Sequence, residues 1–354
     1  MAKKTTIYDI AKKLNITAAT VSRALNNNQK ISQATKDLVL KTASSMNYEQ
    51  NKLALALKSG KSNTVGVIVP NINRDFFASV ISGIEETLYP KGYHVIICQT
   101  HDIKDFEVKN IEALLNAQVD GIFISISKAN EDQDKAINRI LQKNVPLIFF
   151  DRKKTIDGVS CVTINDFEGG YKATQHLIDQ GCKRIAHFCG DLTIEIYQER
   201  FRGYKQALHD NRYAFKQDYV IETKSDVEEG HMALKKLLKL SLPPDAIFSS
   251  SDFAALGAIQ ELKAQGIRIP EEICVVGFSN EPFTKFMELS ITTVDQSPIE
   301  MGKISANVFL EQMKNSGKSK IEKRVVLTPE LLIRKSSLKS TNYAQNEDLK
   351  RNVG

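Results

Sequence analysis

Between Thr6 and Asn26 the chain gathers side chains suited to a polyanion with readable edges. Arg23 can offer two parallel N–H donors, the geometry that matches O6 and N7 of guanine. The alternative for Arg23 is a surface guanidinium that touches phosphate alone. Tyr8, Thr20, Ser22 and Asn26 supply hydroxyls and a carboxamide, which, with the free amides at a helix start, hold phosphate oxygens. Ala18 and Ala19 carry no hydrogen-bonding side chain, so they offer only a methyl contact or close approach.

Such residues need a rigid carrier, and the local pattern provides one. Ile7, Ile10, Ala11 and Leu14 recur at helical spacing. Asn15 falls where a tight turn needs positive φ, and Thr17 is placed to cap a second helix. Val21 and Leu25 then point to a core, and Ala18, Ala19, Ser22 and Arg23 face outward. The spacing predicts a helix, a three-residue turn and a second helix sized for a major groove. Ser32 is an N-cap for a third helix running to about Asn47, with Ile31, Leu38, Val39, Ala43 and Met46 on its apolar face. Charge favours nucleic acid over a plain helical hairpin. Residues 1–61 hold 11 Lys+Arg and 3 Asp+Glu, whereas the remainder holds 37 and 39. The positive charge is concentrated where the helix pair lies.

The 354 residues suggest two or three domains, and 42% hydrophobic with 25% charged residues is ordinary for a globular chain with a buried core. No apolar run approaches the roughly 20 residues that span a bilayer, and MAKKTTIYD lacks the apolar stretch of a secretory signal. Cys98, Cys161, Cys182, Cys189 and Cys274 are scattered, without CxxC or paired histidines. That pattern points to buried thiols in a reducing cytoplasm, not to bridges or metal. No P-loop, G-x-S-x-G or H-E-x-x-H occurs, and the pair Gly169–Gly170 is too little for a dinucleotide fingerprint, so no catalytic residues are assigned.

From Thr64 short apolar runs alternate with helical segments. VGVIVP, YHVIIC, DGIFISIS and PLIFFD form one series; CVTI, RIAHFCG, YVIE, AIFSSS and ICVVGF form a second. This is the rhythm of two doubly wound parallel α/β modules joined by a hinge. Ligands of such sheets sit outside the carboxyl ends of the strands, which places a cleft between the modules.

The sequences TIYDIAKKLNITAATVSRALN, YEQNKLALALKSGKSNTVGVIVP, DFFASVISGIEE, FFDR, ERFRGY, SSDFAALGAI and ICVVGFSNEPF, in this order, resemble the LacI/GalR family of bacterial transcription regulators over residues 4–337. The resemblance implies a helix-turn-helix headpiece at 1–48, a hinge helix and linker at 49–62, a periplasmic-binding-protein-like core at 63–338 and a polar tail at 339–354. Within the core, 63–160 with 294–323 is expected as one subdomain and 161–290 with 324–338 as the other. By resemblance, Ala18 and Ala19 hold the family's main base-reading positions, where alanine weakens direct readout. Leu57 matches the leucine that wedges between central base pairs, and Asn51, Ala54 and Lys58 would contact groove floor and backbone. The alternative is an amphipathic linker packed on the core.

The same resemblance assigns the cleft. Phe76 and Phe77 match an aromatic pair that stacks on a sugar or base ring, with at least one expected to be structural. Asp151 and Arg152 match hydroxyl-binding residues, although Asp151 can instead cap the hinge. Arg200 matches a ligand-binding arginine. Ser251, Asp252 and Gln296 lie at strand ends, and Ser279 stands where many relatives have aspartate. Arg74 replaces a common asparagine. Arg74, Arg152 and Arg200 together tilt the expected charge positive, toward an acidic or phosphorylated sugar; a neutral sugar is the alternative. The implied partners are a pseudo-palindromic DNA operator, a small-molecule effector and a second copy of the chain, with no cofactor, metal or membrane. Control by a protein corepressor and a sugar-binding protein without regulatory role are the rival readings.

Overall fold

The computed structural model describes residues 5–48, 61–127, 131–315 and 322–339, and divides into two compact units at Ser62 and Asn63. In the first unit α1 spans Ile7–Leu14, α2 Ala18–Leu25 and α3 Gln33–Ser45. Each has a side-chain cap. Thr6 and Asp9 form a reciprocal capping box, Thr17 accepts the amide of Thr20 at 3.1 Å, and Ser32 accepts that of Thr35 at 3.3 Å. Asn15 closes α1 at φ 51°, the left-handed turn that the spacing predicted. Ile10, Ala11, Val21, Ala24, Val39 and Ala43 form the core of this unit.

Two expectations are corrected here. Leu38 does not join the core and is 52% exposed. Val39, Thr42, Ala43 and Met46 form the inward stripe of α3, and Leu38 lies about 100° away from Val39. Ala18 does not face fully outward: it is half-buried against the small core, unlike exposed Ala19 and Arg23.

The second unit holds two six-stranded sheets. The first comprises β1 (Thr64–Val69), β2 (His94–Gln99), β3 (Gly121–Ile124), β4 (Leu147–Phe150), β5 (Ser160–Ile164) and a late strand at Arg324–Leu327, in the order late strand-β5-β4-β3-β1-β2, every pair parallel. Helices α4 (Asp75–Leu88), α5 (Lys104–Asn116) and α6 (Glu131–Gln142) connect its strands. After α7 (Asp166–Asp179) come β6 (Ile185–Cys189), α8 (Glu195–Asp210), β7 (Val220–Glu222), α9 (Val227–Leu238), β8 (Ala246–Ser249), α10 (Asp252–Ala264), β9 (Cys274–Phe278), the short α11 (Phe283–Phe286) and β10 (Thr292–Asp295). The chain then returns through α12 (Pro298–Lys314) to β11, the late strand just described, and ends at β12 (Glu330–Leu332). The second sheet runs β12-β10-β9-β8-β6-β7, parallel except for β12 against β10.

The module boundary is therefore displaced from the expected one. CVTI forms β5 and extends the first sheet beside β4, and residues 324–327 pair with it there. TTVD instead joins the second sheet as β10, between β9 and β12. The modules exchange chain at Asn165, at Gln296–Ser297 and at Thr328–Pro329, three crossings that form the hinge. Asn165 marks the first crossing: its side chain caps α7 and its amide donates to the Leu327 carbonyl at 2.9 Å.

Helix pairs approach closely beside the hinge. A Cβ on Gly83 would lie 2.2 Å from the Ile299 carbonyl oxygen, and one on Gly170 2.2 Å from that of Arg200. The Gly169–Gly170 pair thus serves packing on two sides: Gly170 lets α7 rest on α8, which brings Asp166 to Arg200, and Gly169 makes room for the Phe278 ring of the sheet. All five cysteines are free thiols. Among the described residues no helix is long and apolar enough to cross a membrane.

Candidate functional site

The carboxyl ends of both sheets face one cleft of about 120 Å³. All ten residues expected there line it: Arg74, Phe76, Phe77, Asp151, Arg152, Arg200, Ser251, Asp252, Ser279 and Gln296. Their roles differ from one another once the geometry is known.

Arg200 is the most enclosed cation of the site, 3% exposed. Its Nε donates to Asp166 at 2.8 Å, Nη1 to the Ser250 carbonyl at 3.2 Å and Nη2 to the Gln296 side-chain oxygen at 3.3 Å. Its guanidinium lies 3.7 Å over the Phe278 ring, a cation–π contact in a desolvated setting. The Gln296 amide donates in turn to Ser279 Oγ at 3.1 Å. Asp166, Arg200, Gln296 and Ser279 therefore form one polar chain leading to the second hinge crossing. Burial pushes the Asp166 carboxyl up to about 7, against the pull of Arg200. Ser279 holds φ 115°, a region that disfavours any side chain, so the turn after β9 is strained where the polar chain ends.

Asp151 follows β4 at φ 58° and is buried. It accepts Ser125 Oγ at 2.9 Å, and burial raises its pKa while Arg152, Ser125 and Arg200 oppose the rise. Arg152 bonds Asp102 at 2.5 Å and lies 3.9 Å from Asp151. Its Nε is buried without a hydrogen-bond partner, an orphan donor at the cleft wall.

Asp252 is a brace. Its two oxygens accept Thr293 Oγ1 at 2.7 Å and the Glu281 amide at 2.9 Å, and burial lifts its pKa to about 7. Ser251 caps α10 through the Phe253 amide at 3.3 Å and donates to the Ser225 carbonyl at 3.2 Å. Phe76 and Phe77 pack edge to face, centroids 5.0 Å apart at 76°, and both border the cleft while belonging to the core. The expectation that at least one of the pair is structural holds for both rings, which also reach the cleft from the start of α4.

The expected positive tilt is reduced by carboxyl groups on the same wall, although burial raises the pKa of Asp151, Asp252 and Glu281. Four cationic side chains line the cleft, Arg74, Arg152, Arg200 and Lys224, opposite four carboxylates, Asp102, Asp151, Asp252 and Glu281. Arg74 lies 3.9 Å over the Phe253 ring and donates to the Ser225 carbonyl at 3.0 Å, a contact between modules. Tyr197, Phe253 and Glu281 were not singled out from the sequence. Phe253 and Glu281 sit inside motifs that carry the family resemblance, SSDFAALGAI and ICVVGFSNEPF, but their roles depend on a partner across the cleft.

In the first unit Tyr8 is 71% exposed, and Arg23 and Ala19 are also open. Thr17 is occupied as the α2 cap, with Thr20 Oγ1 2.9 Å from its hydroxyl, and the Asn26 carboxamide donates to the Ser22 carbonyl at 2.7 Å. Asn51, Ala54, Leu57 and Lys58 lie outside the described residues.

Family comparisons agree with this arrangement. The family model for "Bacterial regulatory proteins, lacI family" matches residues 6–51, and that for "Periplasmic binding proteins and sugar binding domain of LacI family" matches residues 62–336. The chain is 30% identical over 331 residues to the HTH-type transcriptional repressor PurR of Actinobacillus pleuropneumoniae serotype 3 (strain JL03), covering 94% of this chain and 98% of that one. It is 31% identical over 334 residues, with the same coverage, to the HTH-type transcriptional regulator DegA of Bacillus subtilis (strain 168). Among solved structures it is similar to a LacI family transcriptional regulator from Enterococcus faecium with bound ribose, at 30% identity and a TM-score of 0.69 over 78% of this chain and 100% of that one. It is also similar to a complex of the transcriptional regulator CelR with cellobiose, at 25% identity and a TM-score of 0.71 over 94% and 100%. Family, headpiece and cleft agree: the chain belongs to the LacI family, as a DNA-binding transcriptional repressor with a sugar-binding-type core and not an enzyme.

Proposed function

We propose that this repressor binds a pseudo-palindromic operator as a homodimer and that a neutral sugar-like effector in the cleft sets its operator affinity. The observation that carries the reading is the polar chain Asp166–Arg200–Gln296–Ser279, which runs from the cleft wall to a hinge crossing. A ligand that hydrogen-bonds this chain acts on the crossing that sets the angle between modules. Differential affinity for two such angles is what an effector needs to shift a population.

Four carboxyl groups interleaved with four cationic side chains favour a polyhydroxylated, uncharged ligand over a phosphorylated one. Hydroxyls can both donate and accept, so they satisfy carboxylates and guanidinium groups together. The relatives solved with ribose and cellobiose support the same ligand class. Homodimerisation is supported by β2, an edge strand that exposes Ile96 at 38% and Ile97 at 50%. A free apolar edge of this kind is a liability in a monomer and a template for pairing.

Two α2 helices then enter successive major grooves, with Arg23 as the main base-reading side chain and Tyr8, Thr20 and Ser22 on phosphates. Leu57 from each chain enters the central minor groove. The test has two parts. Selection of bound DNA by the full-length protein at fixed salt is expected to return a pseudo-palindrome with a kinkable centre. A thermal-shift panel of ribose, cellobiose and sugar phosphates is expected to stabilise the core with a neutral sugar. A core indifferent to every sugar, with operator affinity that answers only to a partner protein, would replace this reading with a protein-corepressor one.

A further inference from the structure

The second module carries another concavity, of about 290 Å³, at the opposite edge of its sheet from the cleft. Lys183 and Arg184 lead into β6, Arg212, Tyr213 and Lys216 follow α8, and Tyr219 precedes β7. These are the amino ends of β6 and β7, whereas the cleft is built at carboxyl ends. β6 is five residues long, so roughly 16 Å of strand separates the two sites.

The wall is aromatic and the rim cationic. Tyr219 is buried, and its hydroxyl donates to the Leu242 carbonyl at 2.8 Å. Lys183 Nζ donates to the Tyr213 hydroxyl at 3.0 Å. Arg184 is held by the Pro243 carbonyl at 2.7 Å and by Asp245 at 3.5 Å. The Asp245 carboxylate also accepts the amides of Lys183 and Arg184, at 3.0 and 2.8 Å. Among the described residues Lys183, Arg212 and Lys216 enter no ion pair. These cations stand on a body that is net negative, since residues 62–354 hold 37 Lys+Arg and 39 Asp+Glu.

Arg212 adds an independent observation. It closes α8 at φ 60°, with its amide on the His209 carbonyl at 2.9 Å and the Tyr213 amide on the Leu208 carbonyl at 2.8 Å. Glycine is the ordinary residue at such a left-handed helix end. An arginine there accepts backbone strain and sets a cation on the rim. Its charge also suits the carbonyl end of α8, but that does not account for Lys183 and Lys216 facing the same hollow.

We propose that this concavity binds an organic phosphate, with a planar or apolar body against Tyr213, Tyr219 and Leu208 and phosphoryl oxygens on Lys183, Arg212 and Lys216. A phosphoryl group offers three strong acceptors to converging cationic donors, and the tyrosine rings, over which the Lys183 and Lys216 ammonium groups already lie at 5.3 and 5.4 Å, supply the apolar wall beneath those donors. The volume is near the lower end for small-molecule pockets, roughly 300 Å³. That favours a ligand of mononucleotide size over an acidic protein surface, which would leave the hollow unfilled.

The test is calorimetric titration of the full-length protein with ADP, inorganic pyrophosphate and adenosine. ADP is expected to bind saturably, one per chain, and more tightly than either fragment. The variant Arg212→Gly/Lys216→Ala is expected to weaken ADP by at least about tenfold, the scale of lost charge-assisted hydrogen bonds. Glycine suits φ 60°, so this variant relieves strain at the turn, and a melting temperature no lower than the parent's separates lost binding from lost fold. The cleft variant Gln296→Ala is expected to bind ADP as the parent does. Absence of saturable ADP binding overturns the proposal, as does ADP binding that survives Arg212→Gly/Lys216→Ala or is lost in Gln296→Ala. Pyrophosphate binding as tightly as ADP overturns the role given to the tyrosines.

Discussion

The Glu281 carboxylate, from the second module, accepts the amide of Asp75 at 3.3 Å, at the start of α4 in the first module. Arg74, the residue that precedes this helix, supplies no side-chain cap. Glu281 therefore caps α4 from across the cleft and places negative charge at its positive end. Burial raises the pKa of this carboxyl, and the amides of Asp75 and Phe76 with Arg74 counter the rise. Lys153 and Glu195 add an ion pair between modules at 2.8 Å, in addition to the Arg74–Ser225 contact.

Loss of this cap is expected to loosen closure before it harms the fold. Glu281→Ala is expected to speed amide exchange at Asp75 and Phe76 by roughly 5- to 30-fold, about 1–2 kcal/mol for a lost cap. Glu281→Gln keeps an acceptor and falls between. Exchange measured on the effector-free protein reads this directly, and equal rates in all three would remove Glu281 as a latch.

Arg200 and Asp166 are both nearly sealed from solvent, so removing one strands the other. Arg200→Met is expected to lower stability by about 3–5 kcal/mol, because an unpaired carboxylate stays buried. Asp166→Asn in the same chain is expected to restore much of the loss. Urea melts of the parent, the single variants and the double variant measure the coupling.

The headpiece separates folding from reading. Asn15 holds φ 51°, so Asn15→Val is expected to cost about 1–2 kcal/mol and Asn15→Gly close to nothing. Arg23→Ala is expected to weaken operator binding by about 1–3 kcal/mol and relax preference at one base pair. A uniform loss across sequences, with the salt slope reduced by about one, would instead assign Arg23 to phosphate alone.

Two histidines set part of the acid behaviour. His176 is buried against Ser337 Oγ at 2.7 Å, and burial lowers its pKa to about 4; His187, stacked 4.6 Å from the Phe248 ring, falls to about 3. The unfolded chain takes up each proton first, near the ordinary 6.5. Their contribution is thus complete above about 6.5 and is lost as pH falls toward 4. His176→Gln is expected to flatten the fall in stability between these pH values by up to roughly 3 kcal/mol. Stability curves from pH 4 to 7 that stay parallel would count against this assignment.

Much of this molecule was legible in one dimension because its signals are local. Caps at Thr17 and Ser32, the turn at Asn15 and the strand–helix rhythm depend on neighbours within a few residues. Strand ends mark a cleft in any parallel α/β sheet, so Asp151, Ser279 and Gln296 could be placed there before their contacts were known, whereas Arg200, inside α8, was placed there by family resemblance alone. Pairings between distant segments could not be read in this way. CVTI joins the first sheet because its edges find β4 and β11, the latter contributed from 324–327. The cleft is less positive than its arginines suggest because Asp102 and Glu281, remote in the chain, meet Arg152 and the start of α4. Arg200 is turned onto Asp166 because Gly170 and Gly203 let two helices touch. Composition supplied the cations, and only the tertiary packing decided which of them were neutralised, since a charge is answered by whatever group the fold brings within a few ångströms.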